Sequence, residues 1–271
     1  MRGCSSRSRG LASKRVSDSP ESRVDVLGVH VTPGTVSALV ETVLKWIANG
    51  EREYVTFTGV HGVMESQRDP ALVAAHNAAG WVACDGMPLV WSSRAAGFRD
   101  AERVYGPDVL LALSAVAAER GLRCFFYGGK AGTPELLAAR LTERFPGLEV
   151  VGTHSPPFRD LTDAEIDAEI ALINGAAPDL VWVGLSTPKQ ERWMAARRSK
   201  LDAPVLLGVG AAFDMHAGLV PQAPGWMQRG GLEWLFRLGV EPRRLASRYL
   251  RNNPAFVARI VRHRPRPVRS S

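Results

Sequence analysis

Cysteine is scarce in this chain: Cys4, Cys84 and Cys124 are the only three in 271 residues, and no C-x-x-C pair occurs. An odd, scattered set argues against a disulfide framework or a thiolate zinc site, and for a reducing compartment. The six histidines include no His-x-x-x-His pair that would put two ligands on one helical face. Asp-x-Asp, the usual seat for a divalent ion on a nucleotide diphosphate, is also missing. A bound diphosphate would then have to be neutralised by cationic side chains and backbone N–H groups. No uncharged apolar run is long enough to span a bilayer, which argues against an integral membrane protein. Residues 1–23 are rich in Ser and Arg and lack the apolar stretch of a secretory signal; a disordered basic tail is expected there.

What the chain does have is charge at its ends. The formal net charge is +7. From Trp226 onward there are eleven Arg against Glu233 and Glu241, and residues 1–23 carry six basic and two acidic groups. Residues 24–225 therefore balance 17 basic against 23 acidic groups. A mildly acidic body with a basic end is not the usual footprint of a nucleic-acid binder.

With 45% hydrophobic residues, the chain can bury one large domain plus an appendage. Short β-rich runs alternate with helical stretches, which predicts β-α units on a largely parallel sheet. Strands are expected at 24–31, 54–58, 81–84, 123–127, 148–153, 180–183 and 205–209. Thr32-Pro33 reads as the cap and first turn of a helix ending at Asn49-Gly50. Further helices are expected at 87–97, 108–119, 134–144, 164–174 and 188–199. After Gly225 the strands stop. Three helical pieces are expected at 226–238, 242–250 and 254–262, the last two opened by Pro242 and Pro254. Residues 263–271 read as a second disordered tail.

Ligands of parallel α/β sheets sit beyond the carboxyl ends of the strands. Asp85 follows such a strand, where it could accept a proton from a substrate hydroxyl or cap the next helix; the two roles are compatible. Gly128-Gly129-Lys130 precedes a helix and could cradle a diphosphate, or simply form a strand-to-helix turn; its spacing is not that of a Walker A loop. Gly208-Val209-Gly210 is a poor dinucleotide fingerprint, placed late and closed by Phe213, so an NAD-dependent oxidoreductase is disfavoured. Thr187 to Trp193 concentrates polar donors in the first turn of a helix after a buried strand; a solvated helix start is the alternative, and the position at the strand's carboxyl end favours the same crevice. The stretch 226–238 interleaves Trp, Phe and Leu with Arg, which suits an interfacial helix on anionic lipid, or an interface in a homo-oligomer.

Seven stretches in order, VTFTGVHGVMESQRDP, ACDGMPLVW, ERVYGPDVL, FFYGGKAG, VGLSTPKQERW, GVGAAFDMHAG and APGWMQRGGLEWLFRLGVEPRRLASRYL, resemble the WecG/TagA/CpsF family of bacterial glycosyltransferases. The resemblance implies a Rossmann-like α/β core with a C-terminal basic appendage at 226–262. It implies an inverting, metal-independent transfer of an N-acetylhexosamine-type sugar, such as N-acetylmannosamine, from UDP to polyprenyl-diphosphate-linked GlcNAc in envelope polysaccharide synthesis. No cofactor and no nucleic-acid partner are expected. The family's catalytic base falls on Asp85. Its substrate-binding positions fall on Thr56, Arg103 and Gln190, with Thr58, Asp108, Gly128 and Gly129 in the same matching stretches. Arg237, Arg243, Arg244 and Arg248 of the appendage would close over the diphosphate. Where the family usually reads Thr-x-Asn, this chain has Thr56-Phe57-Thr58, a change that bears on the donor sugar. The expected location is the cytoplasmic face of the membrane, peripherally bound. The rival from another class is a non-catalytic adaptor whose basic end binds membrane or nucleic acid.

Overall fold

The computed structural model describes residues 22–268. The first expected strand is in fact two, β1 (Val24–Val26) and β2 (Val29–Val31), paired antiparallel. Leu27 and Gly28 both take left-handed backbone (φ 55° and 86°), as a two-residue hairpin turn requires. Helix α1 (Val36–Asn49) starts later than expected. Thr32 is tied to residue 82 instead, its N–H donating to the Val82 carbonyl (2.8 Å) and its hydroxyl accepting from the Val82 N–H (3.2 Å). The cap is Thr35, whose side chain accepts from the Ala38 N–H.

The alternating units follow: β3 (Glu53–Thr58), α2 (Val60–Ser66), α3 (Pro70–Asn77), β4 (Trp81–Cys84), α4 (Met87–Ala95), α5 (Gly106–Arg120), β5 (Arg123–Gly128), α6 (Thr133–Arg144), β6 (Glu149–His154), α7 (Asp163–Ala176), β7 (Leu180–Gly184), α8 (Lys189–Arg197), β8 (Val205–Gly208) and α9 (Ala212–His216). The six strands β3–β8 form one parallel sheet in the order β4-β3-β8-β7-β5-β6.

Alternate residues of each strand feed two cores. Val55, Phe57, Phe126, Trp182 and Leu207 pack with α1, α5, α6 and α9. Tyr54, Val82, Tyr127, Val183 and Leu206 pack with α2, α4, α7, α8 and the β1-β2 hairpin. Because both faces are covered, the strands read as nearly unbroken apolar runs. β3 leads into α2, whose Val63 joins the second core, and β8 into α9, whose Phe213 joins the first. The chain leaves these two neighbouring strands toward opposite faces, which opens a crevice beyond their carboxyl ends.

The appendage is α10 (Gly225–Arg229), α11 (Glu233–Val240) and α12 (Pro242–Arg262). Pro254 lies inside α12 and does not begin a helix. A proline there removes one backbone hydrogen bond, and the helix runs through it because both sides are anchored: Leu245 before it and Phe256 after it are buried, and α12 packs on α2. Beyond α12, β9 (Arg266–Pro267) pairs with β1, so part of the expected second tail is ordered. The expected first tail lies almost wholly outside the described residues; Arg23, at its end, donates to the Asn77 and Ala79 carbonyls. Among the described residues, no helix is long and apolar enough to cross a membrane.

Candidate active site

A cavity of about 860 Å³ fills the crevice, roofed by the appendage. Its polar lining draws on Asp85 after β4, Arg103 before α5, Gln190 in α8 and Arg237 in α11. Sequence reading singled out these four from stretches far apart in the chain, and the fold brings them together.

Asp85 is partly buried, its N–H donating to the Thr58 carbonyl at 2.9 Å. It is not the cap of the following helix; Gly86 takes that position, without a side-chain bond. Its Oδ1 accepts instead from the Gly106 N–H at 3.3 Å, at the start of α5. Burial pushes the carboxyl up to about 6, with Glu233 adding to the rise and Arg103, Gly106 and Arg237 opposing it. A carboxylate so tuned is ionised at neutral pH yet basic enough to take a proton.

Arg103 has most of its donors engaged. Nε donates to the Asp85 carbonyl (2.6 Å), one terminal nitrogen to Gln228 Oε1 (3.3 Å) and the other to the Glu233 carboxylate. The guanidinium also stacks on Tyr105, 3.7 Å from the ring centroid. Tyr105 donates its hydroxyl to the other Glu233 oxygen at 2.8 Å. Glu233 thus latches the appendage to the core beside the candidate base. Sequence reading missed it; the signal was there, since it is one of two acids among eleven arginines.

Gln190 is almost wholly buried. Its amide nitrogen donates to the Gly208 carbonyl (2.7 Å), which orients the group, and its Oε1 has no partner among the described residues. An oriented, desolvated acceptor on a cavity wall is suited to a ligand hydroxyl or N–H. Ser186, Thr187 and the Gly208-Val209-Gly210 turn line the cavity beside it. His61 and Asn252, also missed, face the cavity where α12 docks on α2; the Asn252 amide lies 3.2 Å from His61 Nδ1.

The other expected residues lie elsewhere. Thr56 is on the second face of the sheet, fully buried, with its hydroxyl 3.0 Å from His76 Nδ1. Burial lowers His76 to about 4, which keeps the ring neutral. Thr58 is buried on the same face, and its hydroxyl has no hydrogen-bond partner among the described residues. Neither threonine lines the cavity. Asp108 is exposed in the first turn of α5, outside the lining. Gly128 and Gly129 are also outside it; a Cβ on Gly128 would stand 2.9 Å from the Gly184 backbone, so strand packing accounts for that glycine. Arg243 is exposed and away from the lining, and the side chains of Arg244 and Arg248 lie outside the described part.

A model of the glycosyl transferase WecG/TagA/CpsF family matches residues 24–270. Among similar proteins, an N-acetylglucosaminyldiphosphoundecaprenol N-acetyl-beta-D-mannosaminyltransferase of Bacillus subtilis (strain 168) is 33% identical over 158 residues, covering 58% of this chain and 60% of that one. Its namesake from Bacillus spizizenii is 30% identical, covering 73% of this chain and 75% of that one. The Staphylococcus aureus (strain NCTC 8325) protein of the same name is 24% identical, covering 89% and 92%. With a family match over nearly the whole described chain, and with six of the seven matching stretches contributing to one cavity, this protein belongs to the WecG/TagA/CpsF family of glycosyl transferases.

Proposed function

We propose that this chain transfers an N-acetylhexosamine-type sugar, N-acetylmannosamine or a close relative, from UDP to polyprenyl-diphosphate-linked GlcNAc, with inversion and without a metal ion. The observation that carries it is Asp85: a carboxylate with a raised pKa just beyond the carboxyl end of β4, on the wall of the cavity, with Arg103 bound to its own carbonyl. The names of the relatives support the acceptor, a lipid diphosphate bearing GlcNAc.

Asp85 takes the proton from the acceptor hydroxyl as that oxygen bonds to the anomeric carbon. The bond from that carbon to the UDP oxygen breaks on the opposite face, and the electron pair leaves with the diphosphate. General-base help of this kind contributes roughly 10²–10⁴-fold in rate. Arg237, and Arg103 once released from Glu233, are placed to neutralise the leaving charge. Gln190 Oε1 accepts from the donor sugar or the acceptor. The protein works peripherally, on the membrane surface that carries its acceptor.

UDP release should be measured with a GlcNAc-diphosphate-lipid analogue and a panel of UDP-N-acetylhexosamines, with and without EDTA. Acceptor-dependent release that persists in EDTA and falls about 10²-fold or more in Asp85→Asn is the expected result. Undiminished activity in Asp85→Asn would remove the base. Absence of any UDP affinity, with steep salt-dependent binding to random DNA, would favour the adaptor instead.

A further inference from the structure

The cavity has two chemistries, and only the polar one is used by the transfer step. α4 starts directly after Asp85-Gly86, and it lines the cavity with Met87, Trp91 and Ala95, an i, i+4, i+8 stripe on one helix face, together with Pro88 and Ser92, whose hydroxyl is spent on the Pro88 carbonyl (2.8 Å). At 1.5 Å per residue this stripe leads about 12 Å away from the base. The cavity face of α12 changes character along its length. Tyr249, Asn252 and Asn253 come first, up to about its middle; Phe256, Val257, Ile260 and Val261 follow. Among the described side chains, no charged residue of either helix lines the cavity. Trp91 is 52% exposed and Val261 72%, so the apolar branch is open to the outside.

An apolar trough that begins at a catalytic carboxylate and ends at the surface does not suit a nucleotide sugar, which is polar throughout. It suits an amphipathic ligand whose reacting head is fixed at Asp85 and whose tail must leave the site. We infer that this branch, between the Met87-Trp91-Ala95 face and the Phe256–Val261 face, holds the first isoprene units of the acceptor lipid. The inference rests on the proposed transfer to a lipid-diphosphate-linked sugar and adds to it. The enzyme would recognise the lipid directly, not merely meet it at a membrane.

The test uses the full chain, without vesicles or detergent, and GlcNAc-diphosphate acceptors esterified to ethyl, dimethylallyl, geranyl and farnesyl groups below their micelle concentrations. The kcat/KM for acceptor should climb with each added isoprene, by about tenfold or more from ethyl to farnesyl. Trp91→Glu should collapse the farnesyl-to-ethyl ratio toward one, and Trp91→Phe should largely restore it. Trp91 is half exposed, so neither change threatens the core. Equal kcat/KM for ethyl and farnesyl acceptors in the wild type would overturn the trough and leave the transfer reaction standing. So would a Trp91→Glu variant that lowers all four acceptors by the same factor. No transfer to any acceptor would overturn the reaction, and the trough with it.

Discussion

At the scale of single residues, the carboxylates beside Arg103 govern the behaviour of the site. Asp85 must be ionised to act as a base, and burial holds its pKa at about 6. The acceptor-dependent rate should therefore rise with pH up to about that value and level off above it, a profile that steady-state assays between pH 5 and 8 will display. The same shift carries a stability sign. A carboxyl whose folded pKa exceeds its unfolded value favours the folded state at low pH, and that contribution is lost as pH rises through about 6. Asp85→Asn removes the cost of the buried charge. It should stabilise the protein by about 1–3 kcal/mol at pH 7.5, discounting for partial exposure, and by almost nothing near pH 3. Denaturant unfolding at the two values checks this.

Glu233 presents a different balance. It fills the anion seat that Arg103 and Tyr105 create, so on the proposed reading an incoming diphosphate would compete with it. Glu233→Gln should tighten UDP binding by about three- to tenfold, or about 0.7–1.4 kcal/mol, in a calorimetric titration. Weaker binding in the variant would make Glu233 purely a structural latch. This residue was hard to read from the sequence because its role comes from a partner 130 positions away. Asp85, by contrast, was legible because an apolar strand ends right before it. Thr56 shows the limit of motif matching: its place in a family stretch was plain, but strand parity turns it toward His76 and away from the cavity.

At the scale of elements, the parallel strands were readable to within a residue or so, since burial on both faces leaves an unbroken apolar signature. The β1-β2 hairpin was not. Its turn is only Leu27-Gly28, too short to interrupt the apolar alternation on either side. The helices α2 and α3 between β3 and β4 also went unread. The Gly128-Gly129 turn suggested a phosphate cradle, and packing supplies another reason for it. Gly128 sits at φ 113° with its Cα pressed on the Gly184 backbone. Gly128→Ala forces a Cβ into that contact and a disfavoured backbone region together. It should cost about 1–3 kcal/mol of stability by separating the ends of β5 and β7, seen as a lower midpoint in thermal melts. UDP affinity measured well below the melt should change little, since neither glycine touches the cavity.

At the scale of the whole molecule, the charge asymmetry read from the sequence acquires a shape. α12 turns Leu245, Asn252 and Phe256 inward and leaves Leu250, Val257 and Val261 exposed along another face, with Arg251 and Arg262 on one side of that face. Val257 and Val261 belong both to this exposed stripe and to the wall of the apolar branch, so the trough opens onto the same surface. That arrangement fits a helix lying in the headgroup layer, apolar side down and arginines on anionic phosphates, with the cavity mouth directed at the lipid. The appendage also contributes Phe256 to the second core and leads on to β9, which pairs with β1, so cutting the chain before it would strip the core as well as the anchor. A point substitution is the cleaner probe. Leu250 is 75% exposed and lies outside the cavity lining, and Leu250→Glu sets a negative charge among the arginines at no packing cost. The full chain should float with vesicles rich in anionic lipid and be released by salt, since exposed charge pairs are screened over about 10 Å at 0.1 M. Leu250→Glu should float several-fold less while binding UDP as the wild type does. Equal flotation of both proteins would mean that α12 is not the surface that meets the membrane, and would leave its exposed stripe to an interface between copies of the chain.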